Sequence, residues 1–166
     1  MYIAELDQEI AIHSVFEAQS LVDCQRNYWN VISIVDALAE RPTFESARRV
    51  LYLRFDDVDG TSWFQEGVLA TQTDVRRALR FAREIKNEPL IIHCTAGVSR
   101  SPAIAWVVIC DKLRGHTNAG QLATQIVLRL RPQSLPNRHV LNLGLKILAA
   151  SPQQHEELRG SLMDWL

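Results

Sequence analysis

Residues 89–101 read Pro89-Leu90-Ile91-Ile92-His93-Cys94-Thr95-Ala96-Gly97-Val98-Ser99-Arg100-Ser101. The first half, PLIIHC, is a short apolar run of strand length. From Ser101 the run SPAIAWVVICDKLR has helical length and is apolar nearly all round until Asp111, as expected of a helix buried inside a domain. A tight loop with Gly97 inside it joins the two. Strand, tight loop and buried helix together point to an α/β sheet.

The same alternation continues outward. Residues 9–13 (EIAIH) read as a short strand and 15–24 as a short helix. Asn30 to Val35 (NVISIV) is β-branched and apolar, the signature of a buried strand, and Arg41-Pro42 then breaks the chain. Residues 49–55 (RVLYLRF) form another apolar strand. Residues 56–72 contain Gly60 and little periodicity, which predicts a long loop of the kind that is functional or disordered. Thr71 and Asp74 are spaced as a capping box, and Val75, Ala78, Leu79, Ala82 and Ile85 repeat at helical spacing along a helix over 74–86. Gly115 ends the long buried helix, and amphipathic helices follow at 119–130 and 137–149. No repeat, low-complexity stretch or Gly/Ser linker divides the chain. The expectation is a single domain over 1–166, with a central mostly parallel sheet and helices on both faces.

Composition narrows the function classes. The 166 residues are 47% hydrophobic and 22% charged, which is globular usage. No apolar run approaches the ~20 residues of a membrane span, and the start, MYIAELDQEI, does not read as a signal peptide. A net charge of −1 lacks the bulk electrostatic footprint of a nucleic-acid binder, so nucleic acid is not an expected partner. Cys24, Cys94 and Cys110 are odd in number and widely spaced, so no disulfide framework is expected. A soluble, cytoplasmic protein with reduced thiols is the expectation. The five histidines show no zinc spacing. The Arg pairs at 48–49 and 76–77 read as solvated faces.

The chemistry concentrates in the loop from His93 to Ser101. A loop that enters a helix N-terminus turns successive backbone N–H groups inward, and with the helix dipole they make an anion site. Gly97 lets the backbone curl without a Cβ clash. Arg100 adds a fork that can take two phosphate oxygens. Cys94 sits at the mouth of this loop, where the same N–H groups favour its thiolate, so its pKa is expected below the usual ~8.5. A thiolate held against an oxyanion site is an activated nucleophile for phosphorus. The bare Cys-x5-Arg spacing is weak in a chain rich in Arg; the strand before it, Gly97, Ser101 and the buried helix after it carry the reading.

HCTAGVSRS resembles the His-Cys-x5-Arg-Ser/Thr signature of the cysteine-dependent protein tyrosine phosphatase superfamily. It is closest to the dual-specificity-like branch and to its small bacterial members, and the resemblance runs from about residue 29 to 148. It implies that Cys94 forms a phosphocysteine and that Arg100 binds phosphate. The hydroxyl of Ser101 then assists turnover, and Thr95, Ala96, Gly97, Val98 and Ser99 complete the phosphate-binding loop. His93 orders that loop. Asn137, in RPQSLPN, matches a supporting Asn of related enzymes, and also reads as a plain helix N-cap. Neither metal nor organic cofactor is implied, and a phosphorylated protein is the implied substrate.

Ester cleavage also needs a proton for the leaving oxygen. In the family an Asp on a loop upstream of the Cys supplies it. Here RVLYLRF delivers Asp56-Asp57-Val58-Asp59 onto the long loop. The Phe-Asp-Asp pattern points to Asp57, with Asp56 and Asp59 open as alternatives. Trp63 and Phe64, on the same loop, either line the substrate mouth or anchor the loop by packing. Two other readings stand beside an active protein phosphatase. One is a phosphatase fold that holds phosphorylated partners without turnover, although Cys, Arg and acid are all present. The other is a phosphatase of a phosphoinositide or an RNA 5′ end. The uncharged Thr95, Ala96, Val98 and Ser99 count against a phosphoinositide. A sulfur transferase would need no Asp loop, and a low-molecular-weight phosphatase would carry Cys-x5-Arg near its N-terminus.

Overall fold

A computed structural model describes residues 1–60, 66–163 and 165. In chain order the elements are β1 (Tyr2–Ile3), a 3-10 turn (Ala4–Leu6), β2 (Gln8–Ser14), α1 (Val15–Cys24), β3 (Asn30–Val35), β4 (Arg49–Arg54), α2 (Gln72–Glu84), β5 (Leu90–Cys94), α3 (Arg100–Lys112), α4 (Ala119–Leu130), α5 (Arg138–Leu148) and α6 (Pro152–Gly160).

The sheet order among these strands is β1-β2-β5-β3-β4. Four strands run parallel: Ser14 pairs with Cys94, Ser33 with His93, and Val35 with Arg54. Only β1 is antiparallel, at the edge beside β2. All four parallel strands therefore end at one rim of the sheet, where open α/β sheets bind their ligands. β5 runs between β2 and β3 and delivers Cys94 to the middle of that rim.

Alternation along the strands assigns the two faces. Ile10, Ile12, Ile32, Ile34, Leu90 and Ile92 enter the larger core with α2, α3, α4, α5 and α6. Ala11, Val31 and Ile91 face the other way, against Ala18 and Val22 of α1 and the rings of Trp29 and Phe44. The α/β sheet with helices on both faces is thus as expected, though one face is covered far more thickly. α3 lies at the centre of the thick side and is buried from Arg100 to Asp111, which is why its sequence is apolar all round. Gly144 of α5 sits against it so closely that an added Cβ would meet Val107 Cγ2 at 2.3 Å.

α2 opens with the expected capping box: Thr71 Oγ1 accepts the Asp74 N–H and Asp74 accepts the Thr71 N–H. Two elements go beyond the sequence reading. β1 is two residues long, too short to show a period. α6 buries only Leu158 along its length, so it lacks an apolar stripe; its signal was Ser151 as N-cap followed by Pro152. Among the described residues no helix is long and apolar enough to cross a membrane.

Candidate active site

Cys94 is the last residue of β5, and its side chain is 2% exposed. The chain then curls through Thr95–Ser99 and enters α3 at Arg100. Gly97 makes the curl possible. Its φ is +73°, and a Cβ there would lie 2.5–2.6 Å from backbone atoms of His13 and Ser14 at the end of β2. The loop is thus pressed against the neighbouring strand, and the Val15 N–H reaches back to the Thr95 carbonyl.

Two donors converge on the sulfur. The Gly97 N–H and the Ser101 hydroxyl each lie 3.2 Å from Cys94 Sγ. The N-cap residue of α3, Ser99, makes no side-chain cap bond, unlike the capping side chains of α1, α2, α5 and α6. The first turn of α3 therefore faces the loop with uncapped N–H groups, the arrangement that receives an anion.

Arg100 is 3% exposed. Its Nη1 donates to the Phe55 carbonyl at 2.9 Å and pairs with Asp36 Oδ1 at 2.6 Å. Nη2 donates to Thr95 Oγ1 at 3.0 Å. Its Nε is buried and has no partner among the described residues. A buried guanidinium N–H left unmade is costly, and an anion seated in the loop would satisfy it.

The acidic residues after β4 separate by their surroundings. Asp56 accepts the Ala37 N–H on one oxygen at 2.9 Å and the Val68 N–H on the other at 2.7 Å. These bonds, that of Val68 foremost, hold its carboxyl below the usual range. Asp57 is turned toward the loop. Its Oδ1 accepts the Ser99 hydroxyl at 2.6 Å and Asn137 Nδ2 at 3.0 Å. Asp59 lines the same cavity of about 260 Å³, with Asp57, Ser99, Pro136 and Asn137.

Asn137 makes the helix N-cap read from the sequence and also reaches Asp57. Its Oδ1 caps α5 through the Val140 N–H at 3.0 Å, while Nδ2 bonds Asp57 and the Val58 carbonyl. Its own N–H and that of Leu135 donate to the Ser99 and Val98 carbonyls, which ties the α4–α5 loop to the Cys94–Arg100 loop. His93 is 1% exposed, with its ring 5.0 Å from that of Phe44. Burial pushes its pKa down to about 4, so the imidazole is neutral. It lies behind the loop, with Nδ1 3.4 Å from the Cys94 carbonyl.

Three contributors escaped the sequence reading: Asp36, the Phe55 carbonyl and Arg131. Arg131 Nη2 donates to the Ala96 carbonyl at 3.2 Å and Nη1 pairs with Glu17 at 3.1 Å, bracing the loop from α1. Glu17 also accepts the Ser14 N–H, and these bonds, that of Ser14 first, hold its pKa down to about 2. Asp36 follows the β-branched run of β3 directly. An acid at the carboxyl end of a buried strand was the available signal. Trp63 and Phe64 lie outside the described residues. Cys110 is buried in α3 and its thiol pKa is pushed far up by burial, whereas Cys24 is exposed.

The family model described as Protein-tyrosine phosphatase matches residues 23–135. No curated protein matches the chain at a significant level. Among solved structures, human DUSP28 is similar with a TM-score of 0.62 at 16% identity, over 91% of this chain and 94% of that one. OH1 from the Orf virus, described as a tyrosine phosphatase with triple substrate specificity, gives 0.60 at 15% identity over 87% and 84%. PTPMT1, solved in complex with PI(5)P, gives 0.57 at 15% identity over 92% and 93%. At these identities the structural likeness establishes the fold.

Proposed function

The chain belongs to the protein-tyrosine phosphatase family and is a cysteine-dependent phosphatase, and from that premise we propose that it hydrolyses phosphorylated protein side chains through a covalent intermediate on Cys94. The observation that carries this reading is the convergence on one loop of a sulfur with two hydrogen-bond donors and a buried guanidinium with an unused Nε.

In this reading the uncapped first turn of α3 and Arg100 seat the phosphate. Asp36 and the Phe55 carbonyl fix the guanidinium plane, so its remaining donors face the ligand. The Gly97 N–H and the Ser101 hydroxyl both point at Sγ, the attacking atom. Sγ attacks phosphorus, the ester P–O bond breaks, and the leaving oxygen takes a proton from Asp57. Among the described residues both bonds to Asp57 fall on Oδ1, which leaves Oδ2 to carry that proton. Water then attacks the phosphocysteine and gives its proton to the Asp57 carboxylate. The S–P bond breaks and inorganic phosphate leaves, while the Ser101 hydroxyl stabilises the departing thiolate. Asp56 is unsuited to the acid role because both of its oxygens are held by backbone donors that keep it ionised.

The test is a turnover panel of phosphotyrosine and phosphoserine peptides, phosphoinositides and a 5′-triphosphate RNA, run on the chain and on Cys94→Ser. Turnover of the phosphopeptides, lost in Cys94→Ser while phosphate analogues still bind, is the expected result. Preference for a phosphoinositide or the RNA would keep the mechanism and overturn the substrate class.

A further inference from the structure

A cavity of about 630 Å³ lies away from Cys94, between α2 and the C-terminal end of α3. Arg76, Arg80, Arg83 and Arg114 line it, with Leu79 and Ile147 supplying an apolar floor. The arginines are not equivalent. Arg83 grips Asp111 with two bonds of 2.7 Å, and Arg114 shares the same carboxylate at 2.7 Å. Glu84, also on the wall, is held by Arg49 at 2.6 Å. Glu84 on the wall and the buried Asp111 thus already have guanidinium partners. Arg76 and Arg80 are exposed and have no ion pair or hydrogen bond among the described residues. A chain of net charge −1 therefore concentrates surplus positive charge in one groove.

We propose that this groove docks an acidic segment of a partner protein, with carboxylates at alternate positions of an extended chain. Arg76 and Arg80 stand one turn apart on a single face of α2, about 6 Å along its axis. Alternate side chains of an extended peptide are spaced ~6.6 Å on one face, so two carboxylates meet the two guanidiniums in register. Each guanidinium fork takes a carboxylate in two bonds. The residue between them points to the opposite side of the extended chain, away from α2. Nucleic acid fits the groove poorly. The lining holds no aromatic ring on which a base could stack, and Glu84 would face its phosphates. A bilayer fits no better, since the surface is concave and its apolar residues form the floor. Because α3 spans roughly 18 Å from Arg100 to Lys112, a segment bound here leaves the Cys94 loop open.

The test is fluorescence anisotropy at low salt with a labelled Glu-Leu-Glu-Leu-Glu peptide. The chain is expected to bind it saturably, and less well as salt rises. Arg76→Glu/Arg80→Glu should lose at least ~tenfold in affinity, while Arg76→Lys/Arg80→Lys, which keeps the charge without the fork, should fall between. Both positions are exposed, so hydrolysis of a small aryl phosphate by the variants should match the parent and report an intact fold. Absence of binding by the parent, or equal binding by Arg76→Glu/Arg80→Glu, would overturn the proposal. So would tighter binding to poly-uridylate or to phosphatidylserine vesicles than to the peptide. Docking needs no turnover at Cys94: a chain that binds the peptide but hydrolyses nothing would overturn the proposed activity and leave the docking site standing.

Discussion

Asp57 and Asp56 are adjacent and chemically identical, yet the backbone assigns them different work. Two N–H donors clamp Asp56 and leave it a structural carboxylate that joins the chain after β3 to the segment near Val68. Asp57 instead meets the Cys94–Arg100 loop through Ser99. Asp57→Asn keeps shape and hydrogen bonds but removes the proton. Hydrolysis of a phosphotyrosine peptide should fall by ~10²-fold or more, because phenolate leaves poorly, whereas an activated aryl phosphate should be slowed far less. Asp59→Asn, lining the same cavity, is the control. A leaving-group-dependent loss in Asp59→Asn and not in Asp57→Asn would move the acid by two residues. At this scale the sequence was informative where local chemistry suffices: Cys94, Gly97, Arg100 and Ser101 are read from nine consecutive residues. Asp36 and Arg131 were not legible, because each is brought to the loop by another element.

The elements explain why the loop holds its shape. β5 runs buried between β2 and β3, so His93 is enclosed by His13 and Ser33 in the ladders beside it and by Phe44. Its pKa falls to about 4 from an unfolded value near 6.5, so the folded chain binds fewer protons than the unfolded one between those values. Stability from this group is therefore full above about pH 6.5 and is lost as pH falls toward 4. His13 is shifted down by burial too, and acts with the same sign. Denaturant unfolding at pH 6.5 and pH 5 should differ by about 2 kcal/mol on account of His93. His93→Gln should show a shallower loss than the parent; equal losses would place the acid sensitivity elsewhere. The strands and the helices from α1 to α5 were legible because periodicity and β-branching mark them within one or two residues. β1 and α6 were not, since both are stabilised by packing that their own residues hardly encode. The lone edge pairing of β1 and the docking of Leu158, Leu162 and Trp165 into the core appear only once the rest is assembled.

For the whole molecule, the site is a product of strand order. Cys94 from β5, Asp36 after β3, Phe55 and Asp57 after β4, the end of β2 under Gly97 and the α4–α5 loop at Asn137 meet because parallel strands end together. Sequence spacing alone does not place Asp57 over a loop some 40 residues downstream; the order β2-β5-β3-β4 does. That assembly has one chemical purpose in this account, a phosphoryl group held on sulfur. The direct measurement is rapid acid quench during turnover of an aryl phosphate, followed by mass mapping of the peptides. It is made on the chain and on Ser101→Ala, in which the second step is expected to slow. The account predicts a phosphoryl group on the peptide containing Cys94, more abundant in Ser101→Ala and absent in Cys94→Ser. Substrate consumed with no phosphoryl group on Cys94 in either protein, or with the group on another residue, would contradict it.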